Sequence, residues 1–121
     1  MTENEKDRYL IAFDLAQKSE NALYELAAFE ITGKRFAAGK DTEEENRDRV
    51  RKWWSDHRTI LRTYLCVEQL RFLHDPAESV REKSLIIAAV ADCLTGVVLG
   101  ISPLTAATLV VSFGLRKLCE E

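Results

Sequence analysis

Side chains able to do acid–base or ligand chemistry are few in this sequence, and their spacing keeps them apart. His57 follows Asp56 directly, but helix neighbours point about 100° apart and cannot form an orienting pair. Position 57 also falls in a stripe with Trp53, Ile60 and Tyr64, so a packed or rim histidine is expected. His74 precedes Asp75 at an expected helix end, where an imidazole meets the last free carbonyls. Asp14, Glu25 and Glu30 lack the Glu-x-x-His companions of a di-metal bundle site, and solvent is their expected setting. The sequence has no glycine-rich phosphate loop, nucleophile elbow, Cys-x-x-Cys or pair of histidines at ligand spacing. It therefore predicts no catalytic residue, no metal and no cofactor, and no small-molecule substrate is evident.

Two features could instead serve binding. Arg47, Arg49, Arg51, Lys52, Arg58 and Arg62 fall on one expected helix, and such a face could track phosphates. Glu43, Glu45 and Asp48 stand four residues before Arg47, Arg49 and Lys52, an orientation that pairs charges along a helix surface. Arg51, Arg58 and Arg62 lack that partner and share a face, which makes them the first candidates for an acidic protein or a nucleic acid. Beside them, adjacent Trp53 and Trp54 must point in different directions. One is expected in the core, and the other at the core's edge or against a partner.

Net charge is −3, from 17 basic and 20 acidic residues, too small for bulk attraction to nucleic acid or an anionic membrane. Cys66, Cys93 and Cys119 are an odd number with no close sequence pair, so a reducing, cytoplasmic setting is the simplest expectation. The densely charged stretch from Met1 to Arg8 does not read as a secretory signal.

The elements that position these residues are expected to be helices. Two prolines and five glycines leave long uninterrupted stretches, and little of the chain alternates as a half-buried strand must. Thr2 with Glu5 and Thr42 with Glu45 have capping-box spacing; Asp75–Pro76 and Ser102–Pro103 place proline in a first turn. Helices are predicted near 3–38, 42–74, 76–98 and 103–119, with Gly33, Gly39 and Gly100 as left-handed caps and a possible break at Gly33. Short connections make an all-α, up-and-down bundle of about four helices. The predicted stripes run through Tyr9, Phe13, Leu23, Leu26, Phe29 and Ile31, and through Val50, Trp53, Trp54, Ile60, Leu61, Tyr64 and Leu65 toward Leu70, Phe72 and Leu73.

Residues 1–121 read as one helical domain, with charged amphipathic helices over 1–75 and an apolar hairpin over 76–121. From Ser84 to Leu115 the sole charge is Asp92, while Gly100, Ser102 and Pro103 divide the segment, so neither half is a clean membrane span. Leu85, Ile86, Val90, Val97, Leu104, Leu109 and Phe113 are expected in the core or an assembly face. Ala88, Ala89, Ala91, Gly96, Ala106 and Ala107 permit close helix approach. Asp92 is expected to face solvent or bond locally to Thr95.

The leading functional expectation is a non-enzymatic helical interaction or oligomerisation module, adaptor-like, acting by self-association or on a larger protein. Because the C-terminal half is more apolar than two amphipathic helices readily cover, the free chain is expected to be a dimer or larger. The alternatives are a membrane-active protein inserting the 85–115 hairpin and, less favoured, a nucleic-acid-binding module.

Overall fold

A computed structural model describes residues 3–33, 40–67 and 78–120. Its described residues form six helices and no strand: α1 (Glu3–Ala16), α2 (Glu20–Thr32), α3 (Lys40–Leu65), α4 (Val80–Leu94), α5 (Pro103–Phe113) and α6 (Leu115–Glu120). The all-α bundle is as expected, but the helices among the described residues number six and not about four. Thr2, Gly39, Leu70, Phe72, Leu73, His74, Asp75 and Pro76 lie outside the described residues, as do the side chains of Glu5 and Thr42.

Each extra boundary has a local cause. The helix expected over 3–38 breaks at Ser19, whose hydroxyl accepts the Ala22 N–H (3.2 Å) and starts α2 with Glu20 in its first turn. No capping box marks this start, because Ala22 stands where the box would place an acid. Gly33, at φ 70°, closes α2 by donating its N–H to the Phe29 carbonyl. Ser79 caps α4, later than the expected start at 76, by accepting the Glu82 N–H. The last predicted helix is split at Gly114, whose φ of 103° costs a side-chain-bearing residue strain. Ser102 and Pro103 start α5 as their spacing predicts.

At the centre lies α5, with Thr105, Ala106, Ala107, Thr108, Leu109 and Val110 all buried. A helix buried all round needs neighbours on every side, and α5 packs on α1, α2, α4 and α6. Its threonine hydroxyls do not go unpaired: Thr108 donates to the Leu104 carbonyl (2.7 Å) and Thr105 to the Glu30 carboxylate (2.6 Å). The other Glu30 oxygen accepts the Ser102 N–H (2.7 Å). Glu30 thus sits at the positive end of α5, not in solvent as expected, and ties α2 to it.

The remaining helices form pairs around this centre. α2 packs on α3, and α1 packs chiefly on α4, where small buried side chains (Ala12 and Ala16; Ser84 and Ala91) permit close approach. This small-residue face replaces part of the predicted α1 stripe: Phe13 is exposed, with Leu10 and Ile11, and on α3 Tyr64 also faces out. Asp92 is exposed but its partner is Arg8 of α1, while Thr95 donates its hydroxyl to the Ala91 carbonyl. Of the candidate core or assembly residues, Val90 and Leu109 are fully buried. Ile86, Val97, Leu104 and Phe113 pack partly buried against the core, and Leu85 is half exposed. No described helix is long and apolar enough to cross a membrane.

Replacing Glu30 with alanine leaves the Ser102 N–H and Thr105 hydroxyl without their charged acceptor. The change is expected to lower unfolding stability by about 1.5–3 kcal/mol, read as a shifted urea midpoint at unchanged slope. An unmoved midpoint would show that the α2–α5 tie contributes nothing.

Candidate partner-binding groove

The two tryptophans separate along α3. Trp53 is buried and donates its indole N–H to the Leu99 carbonyl (2.6 Å), pinning the α4–α5 loop. His57 stacks on the same indole (ring centroids 5.0 Å apart) and its Nδ1 lies 2.8 Å from the Trp53 carbonyl, which makes it a packed residue. Trp54, one position on, is half-buried and meets the edge of Phe113 at 4.8 Å.

Phe113 stands between Trp54 and Tyr24, whose ring is 6.2 Å from it. On one side of this aromatic row is a hollow of about 360 Å³ between α3, the end of α5 and α6, lined by Arg51, Trp54, Phe113, Gly114, Lys117 and Leu118. On the other is a hollow of about 280 Å³ against α2, with Glu20, Tyr24, Arg47 and Val50 in its walls. Both include Arg51 and Phe113, so the hollows adjoin at these two residues as a two-part groove. The aromatic walls exist because Phe113 is the last residue of α5 and Gly114 turns the chain beside it.

Among the described residues, three cations line the groove, Arg47, Arg51 and Lys117, against one carboxylate, Glu20. Arg47 donates to the Asn21 side chain (3.1 Å), which holds its head near α2. Arg51, expected to lack a partner, lies 3.7 Å from Asp48, but with both side chains 76% exposed this contact contributes little. Glu20 accepts the Tyr24 hydroxyl (2.9 Å). Burial, and then the bond to Glu20, raise the Tyr24 pKa, so this hydroxyl stays a neutral donor.

The other candidates fall elsewhere. Arg58 is half-buried and Arg62 exposed, and neither lines the groove, so the structure divides the predicted Arg51, Arg58 and Arg62 face. The expected Glu45–Arg49 pair is present at 3.6 Å. Lys117 and Tyr24 carry no sequence signal of their own, because their role depends on α6 and α2 reaching α3. Among the described residues, no three His, Cys, Asp or Glu side chains gather as a metal ion would require.

Cys66 and Cys119 form a disulfide, with Cα atoms 5.4 Å apart, that fastens α6 to the end of α3. The odd cysteine count gave no hint of this pair, since 53 positions separate the two. Cys93 is the remaining thiol; burial, and then the nearby Asp92 charge, raise its pKa, which makes it a poor nucleophile at neutral pH. Compared with protein-family models, curated proteins and solved structures, the chain shows no match in any of the three.

Reduction of a cross-link spanning 53 positions is expected to lower stability by about 4 kcal/mol on the chain-entropy account. Protein prepared without reductant should show one thiol per chain under denaturing conditions and three after reduction. Three thiols before reduction would remove the covalent anchor of α6.

Proposed function

We propose that this chain is a non-enzymatic helical interaction module that engages another protein through the Trp54–Phe113 groove. The observation that carries this reading is a half-buried aromatic row set between basic side chains on separate helices. Partly buried aromatics ringed by polar groups are the anchors that dominate protein interfaces. The described residues contribute no cluster of acid, base and nucleophile in this groove that would suggest chemistry instead.

Self-association is a second reading, and a different surface favours it. The apolar C-terminal helices, which motivated the expected dimer, are largely covered by α1, α2 and α6. Exposed apolar side chains include Leu10 (54%) and Ile11 (50%) on α1, Leu85 (50%) on α4 and Val98 (88%) in the α4–α5 loop. Insertion of the 85–115 segment into a membrane draws less support, because it would first have to uncover the buried α5. The disulfide also weighs against a cytoplasmic setting, since such bonds persist mainly in oxidising compartments.

A photo-cross-linking residue placed at Lys117 should capture a partner in cells, with capture lost in Trp54→Ala, while the same probe at exposed Asp14 should not. Capture indifferent to Trp54 would reject the groove. Light scattering across micromolar concentrations decides the second reading: a dimer dispersed by Leu10→Glu with Ile11→Glu supports it, and a constant monomer mass removes it.

A further inference from the structure

The composition of the groove specifies its occupant more closely than the interaction reading on which this inference rests. Its two hollows share Arg51 and Phe113 and run from Leu118 on α6 to Glu20 on α2. That extended form suits a length of chain better than a compact small molecule. Phe113 forms an apolar ridge shared by the two hollows, with Trp54 in the wall of one and Tyr24 in the wall of the other. Arg47 and Arg51, one helical turn apart on α3, line the hollow against α2, and Arg51 shares the other hollow with exposed Lys117 of α6. Among the described lining residues the one carboxylate is Glu20, which accepts the Tyr24 hydroxyl, so cations outnumber acids.

A ligand that fits must therefore bring apolar bulk for the aromatic row and negative charge for the cations beside it. A nucleic acid supplies stacking bases and phosphates, but its regularly spaced charges need a continuous basic track. Here the neighbouring cations are already paired. Glu45 pairs with Arg49 and Glu120 holds Arg116 at 2.9 Å. A short peptide can place its acids at the walls and neutral residues beyond them.

We propose that the groove binds a short acidic protein segment, seating one bulky apolar side chain on the Tyr24–Phe113–Trp54 row and its flanking carboxylates against Arg51 and Lys117. Selection of a random 12-residue peptide display library on the disulfide-intact chain tests this. Enriched peptides should share one aromatic or large aliphatic residue flanked by Asp or Glu. Their affinity should fall about tenfold or more with either Arg51→Glu or Lys117→Glu, both exposed positions where the fold tolerates change, and should weaken with added salt. Trp54→Ala should abolish binding, with circular dichroism confirming a retained helical fold.

The outcomes distinguish the acidic occupant from the interaction itself. Peptides that need Trp54 but carry no acid, and ignore both charge reversals, would overturn the acidic occupant and leave the interaction reading standing. If no selected peptide depends on Trp54 or Phe113, both fall. A labelled oligouridylate that binds and is lost in Arg51→Glu and Lys117→Glu, with no acidic peptide enriched, would assign the groove to single-stranded nucleic acid and overturn the proposal.

Discussion

A helix with no wet face imposes the arrangement of everything around it. Residues 105–110 of α5 are buried on all sides, and each exposed side would leave apolar surface in water at about 25 cal/mol per Å². Four other helices therefore contact it. At its start the Ser102 hydroxyl accepts the Thr105 N–H, and Glu30 accepts the Ser102 N–H and the Thr105 hydroxyl in two charge-assisted bonds. Position along α2 and rotation of α5 are coupled through this one carboxylate.

The groove follows from the way that central helix ends. Phe113 closes α5, and the positive φ of Gly114 redirects the chain into a helix of only 6 residues. So short a helix has little stability of its own. Leu115 and Leu118 bury against the core, and the Cys66–Cys119 bond fixes the far end. Lys117 is held on the groove's wall by these two anchors. Trp53 supplies a third constraint, since its bond to the Leu99 carbonyl sets the height of α3 against the α4–α5 loop and so the place of Trp54 beside Phe113.

Charge on the surface is mostly self-compensated along single helices, as with Glu45 and Arg49 or Arg116 and Glu120. Such exposed pairs contribute little to stability, but they shape the field that a partner meets. Across the groove the balance is different, because among the described residues three cations from two helices face one acid, Glu20. Electrostatic selectivity therefore belongs to the junction between helices and not to α3 alone.

Helical character, the Ser102–Pro103 start and the divergence of Trp53 from Trp54 were legible in the sequence, because each depends on local geometry: backbone donors within one turn, or side chains about 100° apart. The apolar run from Ser84 to Leu115 likewise marked the most buried part of the chain. The break at Ser19 was missed because its cap lacks the acid that completes a capping box, and the break at Gly114 because a glycine's sign of φ is not written in its neighbours. Tertiary structure alone decided the rest. Glu30 could be assigned to α5, Cys66 to Cys119, and Lys117 to the groove of Trp54 only once residues 72, 53 and 63 positions apart came together. Those pairings depend on which helix faces cover α5, a choice made by the summed burial of all six helices and carried by no local spacing.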